Sequence, residues 1–313
     1  MTMTQTVRHA LRRLCAAVAG AALATGLALA PAAAEEPAVP FADPSRLVTI
    51  GGALTEIVYA LGRQELLVAR DTTSTFPEAA ATLPDVGYMR ALSPEGVLSV
   101  DPTAILALEG SGPPETVAVL EQARVPLRLV AERYDRAGIL DKIRIVGAAI
   151  GAEDAAAALA GEVGRALDAA RAMTTGLDER RSVLFVLSLQ GGKVLAAGSG
   201  TAADGMIRLA GAQNAITGFA GYKPLTDEAV VTAAPDAILM MARGDGEGVT
   251  RDAVLAHPAL AATPAAAAGR ILRMDGLYLL GFGPRSGAAA AELAARLYGD
   301  ALAAPADGGA ATR

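Results

Sequence analysis

A long internal repeat constrains the fold of this chain more than any other feature of its sequence. Ser93-Pro94-Glu95-Gly96-Val97-Leu98 leads through Asp101-Pro102 to Ala104-Ile105-Leu106. Thr226-Asp227-Glu228-Ala229-Val230-Val231 leads through Ala234-Pro235 to Ala237-Ile238-Leu239. The copies align without a gap, offset by 133 residues from Ser93 to Thr226. Each predicts an N-capped short helix, a Pro-bearing turn and a buried strand. A Gly-Tyr pair lies just upstream of each, Gly87-Tyr88 and Gly221-Tyr222. An offset this long fits two similar α/β lobes, not a solenoid of short units.

The remaining periodicities agree. Short apolar strands are predicted at 46–50, 66–69, 104–108 and 127–130, and again at 182–187, 194–196, 237–241 and 270–273. Helical stretches at 54–61 and 115–122 fall between them, and the alternation predicts parallel sheets built from βα units. From about Ala152 to Gly176 the chain is Ala-rich and free of Pro, with Leu159, Val163 and Leu167 at helical spacing. One long helix is expected there, a stiff strut between the lobes. The expected organisation is a first lobe over 41–136, a helical connection over 137–178 and a second lobe over 179–305. Residues 37–44 read as a flexible leader and 303–313 as a frayed tail.

Residues 1–34 stand apart. Arg8, Arg12 and Arg13 precede an apolar run from Leu14 to Ala30, which ends in small residues before Glu35-Glu36. That is the build of a secretory signal peptide, and export to the periplasm with cleavage is expected. The run is short for a spanning helix, so a retained anchor is the lesser reading. Removing this segment leaves no Cys and one His, His257. Cysteine-nucleophile chemistry, a disulfide framework and a His-cluster metal site are thereby excluded. A net charge of −6 argues against a nucleic-acid partner.

In open α/β sheets ligands bind beyond the carboxyl ends of the strands, so two facing lobes place those loops across a cleft. The candidate loops are Gly51-Gly52, Asp71–Thr75 and Glu109–Gly112 in the first half, then Gly198–Thr201, Arg243–Gly246 and Asp275–Tyr278 in the second. No G-x-S-x-G elbow occurs, which counts against an α/β-hydrolase. Gly198-Ser199-Gly200-Thr201-Ala202-Ala203-Asp204 misses the nucleotide-loop patterns and reads as a capping box, Thr201 to Asp204. His257 precedes Pro258 and reads as a structural or surface residue.

Tyr88 is the most informative side chain. It lies in Leu83-Pro84-Asp85-Val86-Gly87-Tyr88-Met89-Arg90, a loop flanked by Pro and Gly, where binding residues concentrate. A phenolate is a hard anionic oxygen suited to ferric iron, and Tyr is a recognised axial ligand of haem. Coordination to iron and a neighbouring guanidinium both favour the phenolate form, and Arg90 and Arg243 are the candidates for that charge. Either could instead pair with a ligand carboxylate. The competing reading is a Tyr that packs its ring on the turn.

The stretch from Arg70-Asp71-Thr72-Thr73 to Asp85-Val86-Gly87-Tyr88-Met89-Arg90, together with Asp275-Gly276-Leu277-Tyr278 to Gly281-Phe282-Gly283-Pro284-Arg285, resembles the periplasmic haemin-binding proteins of bacterial ABC haemin importers, the HmuT-like group. The resemblance covers essentially the whole mature chain. It implies two Rossmann-like lobes joined by a rigid helix, with the ligand in the cleft between them. It implies no enzymatic activity, ferric haem b as the transported ligand, and Tyr88 as its axial iron ligand. Arg243 best matches the second-lobe Arg that bonds near that Tyr or a propionate. Glu95 and Glu228, one per lobe, would dock to an ABC permease dimer with its ATPase subunits. A monomer is expected, with an outer-membrane haem receptor system upstream.

Arg90, Tyr222 and Tyr278 complete the expected binding set, with Met89, Met241 and Phe282 as further candidates for the cleft walls. The one mature His falls outside any strand-end loop, so one haem is expected, although some members of the group hold a second through a His. A ferric siderophore or a corrinoid on the same scaffold is the alternative ligand. A periplasmic α/β enzyme is the alternative class.

Overall fold

A computed structural model describes residues 39–242 and 248–303 and gives the two repeat copies the same backbone. Ser93 and Thr226 both occupy an N-cap, accepting from the backbone N–H of Gly96 and Ala229. Asp101 and Ala234, each just before a Pro, both take left-handed φ values, 49° and 40°. The repeat is therefore structural down to a backbone conformation that few non-glycine residues adopt.

In chain order the first half is β1 (Leu47–Ile50), α1 (Gly52–Ala60), β2 (Leu67–Arg70), α2 (Pro94–Leu98), β3 (Ala104–Leu108), α3 (Pro114–Gln122) and β4 (Leu127–Val130). The strands form one sheet in the order β2-β1-β3-β4, all parallel. Helices α4 (Arg136–Ala149) and α5 (Glu153–Met173) follow. The second half is β5 (Ser182–Gln190), β6 (Lys193–Ala197), α6 (Ala202–Leu209), β7 (Gln213–Asn214), β8 (Tyr222–Leu225), α7 (Asp227–Ala233), β9 (Ala237–Ala242), α8 (Arg251–Ala256), α9 (Pro258–Ala261), α10 (Pro264–Ala267), β10 (Ile271–Asp275), α11 (Gly276–Leu280) and α12 (Ser286–Ala303). Among the described residues, no helix is long and apolar enough to cross a membrane.

The second sheet runs β10-β9-β5-β6-β8, with β7 on β5, and it corrects one expectation. Strands β5, β9 and β10 are parallel, but β6 is antiparallel to β5, and β8 to β6. The cause is the link between β5 and β6, which is only Gly191-Gly192. A parallel return needs a crossover of a dozen residues, whereas a two-residue turn forces a hairpin. Both glycines take positive φ, 57° and 74°, as the tight turn that suits strand twist requires. Strand β8 closes the edge, where Pro224 costs no ladder bond.

Strand β9 is buried on both faces. Ala237 and Leu239 join a core that runs through both halves, from Leu47 and Ile105 to Phe282 and Leu297. Ile238 and Met240 face a second core under α7 to α10 with Val230, Leu260 and Ile271. A shared first core leaves the halves little freedom to separate. Helix α5 is the expected strut, and its small residues allow close approach on both sides. Gly147 of α4 lies so near Ala156 that a Cβ there would come within 2.2 Å, and Gly287 of α12 meets Ala166 at 2.7 Å. The N-terminal stretch expected as a free leader is pinned at Phe41, whose N–H donates to Ala149 O (2.9 Å) while the Arg128 guanidinium stands over its ring.

Candidate functional site

The loop that carries Tyr88 is held by every third of its own residues. Val86, Met89 and Leu92 are buried in the first core. Backbone bonds run from Val86 N–H to Arg70 O, from Gly112 N–H to Met89 O and from Leu92 N–H to Gly112 O, so the ends of β2 and β3 grip the loop from two sides. Asp85 locks its start. It pairs with Arg70 at 2.6 Å, accepts from the Thr72 hydroxyl at 3.1 Å and accepts from the Gly87 N–H at 2.8 Å. Gly87 turns the chain at φ 104°, which a Cβ would strain. The side chains between these anchors face outward, and Tyr88 stands 44% exposed.

Beside it, Arg90 Nη1 donates to Tyr88 Oη at 2.9 Å. Partial burial pulls the Arg90 guanidinium down. The hydrogen bond to Tyr88 and the phenolic groups of Tyr88, Tyr134 and Tyr222 outweigh it and leave the group raised. Arg90 is thus a fixed cation whose field reaches a phenol of the second half. Tyr222, at the start of β8, pairs with Ala197 and lies edge-on to Phe185 at 6.5 Å. Burial pushes its hydroxyl up, against the pull of the Thr201 hydroxyl, the Ala203 N–H and Arg90. The tyrosines of the two Gly-Tyr pairs are thus linked through the field of Arg90, although Tyr88 sits on a loop and Tyr222 on an edge strand.

Tyr134 belongs to the same group, and nothing in the sequence reading pointed to it. Burial and Glu132 push its hydroxyl up, with Tyr222 acting the same way and Arg90 against it. Its ring lies edge-on to Phe282 at 5.1 Å. Tyr278 is placed elsewhere. Its ring and that of Phe76 flank the Arg285 guanidinium, at 5.2 Å and 3.6 Å to their centroids. Burial and Glu292 push its hydroxyl up. Met89 and Phe282 are buried core residues and Met241 packs against the same core, so none of the three is free wall. Arg243 lies outside the described residues, as does the segment 1–34 read as a signal peptide.

Other sequence candidates have structural roles. Asp71 is buried and accepts from the Gly51 and Thr73 N–H groups and from the Thr73 and Ser74 hydroxyls. The Thr201 hydroxyl accepts from Asp204 N–H, and Asp204 reaches back to the Gly200 N–H instead of that of Thr201. His257 Nε2 meets Gly192 O at 3.0 Å and Asp227 at 4.0 Å, tying the β5–β6 turn to α7. Glu95 and Glu228 are both exposed, each at the second position of its helix. Among the described residues, no cluster of His, Cys, Asp or Glu could hold a metal ion. A single axial ligand needs no such cluster, and the exposed Tyr88 side chain backed by the Arg90 guanidinium fits ferric haem.

A family model described as periplasmic binding protein matches residues 47–277. Among solved structures, the chain is similar to the periplasmic heme-binding protein BhuT in complex with two hemes. The identity is 46%, with a TM-score of 0.75 over 82% of this chain and 99% of that one. It is similar to the periplasmic heme-binding protein RhuT of Roseiflexus sp. RS-1, at 39% identity and a TM-score of 0.76 over the same shares. An ABC transporter substrate-binding lipoprotein of Bacillus subtilis (strain 168), YvrC, is 28% identical over 262 residues, 82% of this chain and 81% of that protein.

Proposed function

The chain belongs to the periplasmic binding protein family, and from that premise we propose that it binds ferric haem and hands it to an ABC importer. It is a carrier and not an enzyme. Haem b is the cargo, held in the cleft between the lobes, with Tyr88 as the axial ligand to its iron. Arg90 holds the Tyr88 oxygen, and Tyr222 contributes from the facing lobe. Arg243 follows β9 in sequence and is assigned to a propionate or to the Tyr88 oxygen. Glu95 and Glu228 dock the loaded protein on the two halves of a permease dimer that works with its ATPase subunits. The protein acts as a monomer in the periplasm after cleavage of residues 1–34, downstream of an outer-membrane haem receptor.

The observation that carries this reading is the pair Tyr88–Arg90. The exposed Tyr88 is bonded at 2.9 Å to a guanidinium whose field reaches Tyr222 of the second half. The two heme-binding relatives, 46% and 39% identical, support the choice of haem.

Titrating haemin into the mature protein, with Tyr88→Ala alongside, tests it. The expected result is a saturable Soret change with a ferric tyrosinate signature in the wild type, absent in the variant. Saturable binding that is unchanged in Tyr88→Ala would remove Tyr88 as ligand. No saturable binding by the wild type would remove haem, and cyanocobalamin and ferric siderophores would then be titrated.

A further inference from the structure

Tyr134 sits on the short stretch between β4 and α4, where the chain leaves the first sheet for the connecting helices. Its neighbours are tied on both sides. Glu132 pairs with the fully buried Lys142, which also donates to Phe282 O at 3.4 Å. Asp135 caps α4, accepting from Gly138 N–H at 2.7 Å. The backbone of Tyr134 then abuts the second half of the chain. A Cβ on Gly205 of α6 would lie 2.5 Å from Tyr134 O and 2.6 Å from Tyr134 Cβ, so only glycine admits this contact. The ring is fixed in turn by the edge of Phe282.

With backbone and ring held by both halves, the hydroxyl is the free end. It makes no hydrogen bond among the described residues, and Tyr134 is partly exposed. Glu132, Tyr222 and Arg90 are the charged and phenolic groups whose fields reach it. Arg90 spends one N–H on Tyr88 and has others to offer. A neutral phenol O–H beside a guanidinium is a donor pair for a carboxylate. Burial and the Glu132 charge act together to keep the phenol protonated, so it donates.

We propose that Tyr134, held where the first half meets Gly205 and Phe282 of the second, is a ligand-positioning residue that donates its hydroxyl hydrogen bond to a carboxylate of the bound molecule beside Arg90. This rests on the haem reading above, in which that carboxylate is a propionate. The junction between the lobes then sets the rotation of the porphyrin about the iron–Tyr88 axis.

The test compares the wild type with Tyr134→Phe, which keeps the ring on Phe282, using haemin and haemin dimethyl ester as probes. A hydrogen bond to a charged acceptor corresponds to about a tenfold change in affinity. The expected result is haemin binding weakened about tenfold in Tyr134→Phe, with the tyrosinate spectrum kept and no difference between the proteins for the diester. Equal haemin affinity in the two proteins overturns the proposal. So does an equal loss for both probes, which would mean a packing role. Failure of the wild type to bind either probe overturns the haem reading itself, and is told apart because the wild-type curve is then flat.

Discussion

Arg285 grips Glu56 across the two halves of the chain, with Nε to Oε1 and Nη2 to Oε2 both at 3.0 Å. Glu56 is buried in α1 beside the first sheet, and Arg285 precedes α12 at the end of the second. The guanidinium also stands over the ring of Phe76 of the first half, 3.6 Å from its centroid. A planar fork meeting a carboxylate edge-on fixes both distance and angle, which a lysine cannot reproduce. Removing Arg285 leaves a buried carboxylate unpaired. Arg285→Ala is therefore expected to lose about 3 kcal/mol of stability in urea unfolding. Arg285→Lys should recover only part of it. A loss below about 1 kcal/mol for Arg285→Ala would show that this pair does not hold the lobes.

Lys142 makes a second junction. Its ammonium is fully buried and reaches Glu132 and the carbonyl of Phe282. Burial lowers its proton affinity, against the pull of Glu132. The folded state therefore binds fewer protons than the unfolded chain at pH values between the lowered folded value and the usual lysine range. The contribution of this group to stability rises with pH through that window and levels off above the unfolded value. Lys142→Met alone leaves Glu132 without its partner and is expected to cost about 3 kcal/mol, whereas Lys142→Met with Glu132→Leu should be close to neutral. Unfolding curves of the single and double variants across pH decide it. A double variant as unstable as the single one would refute the pairing argument.

The proposed haem reading makes Arg90 and Tyr88 one unit, joined at 2.9 Å. Arg90→Ala keeps the axial oxygen but removes its hydrogen bond, so haemin affinity should fall about tenfold and the tyrosinate bands should shift. Arg90→Lys should restore charge without the fork and give an intermediate spectrum. Spectra and affinity for Arg90→Ala identical to the wild type would assign the guanidinium to another partner.

Much of this was legible in the sequence because the repeat is local. Caps, Pro turns and strands sit at a constant offset, down to the left-handed Asp101 and Ala234. The reversal of β6 was also written there, in Gly191-Gly192, but strand periodicity alone does not register a two-residue hairpin. Tyr88 stood out because its loop has turn chemistry on both sides. Tyr134 did not, because its position depends on Gly205 and Phe282, which are distant in the chain. Tyr278 was expected on a strand-end loop, but the Asp275 cap opens α11 there and the ring is drawn to Arg285, a contact that spacing does not reveal.

The proposed docking pair gives the most direct test of transport. Glu95 and Glu228 occupy the same helical position in the two repeat copies and project from exposed turns, so their exchange should leave the cleft untouched. Glu95→Ala with Glu228→Ala should bind haemin like the wild type, yet fail to stimulate the ATPase of its transporter in liposomes. The Glu228 carboxyl is held below the usual range by its own backbone N–H and then by the Thr226 hydroxyl. Its charge therefore survives as pH falls through the ordinary glutamate range and is lost only below its lowered value. Thr226→Ala removes one of those donors, so stimulation should begin to fail at a higher pH than in the wild type, with haemin binding unchanged. Full stimulation by the double Glu variant would show that the permease reads another surface.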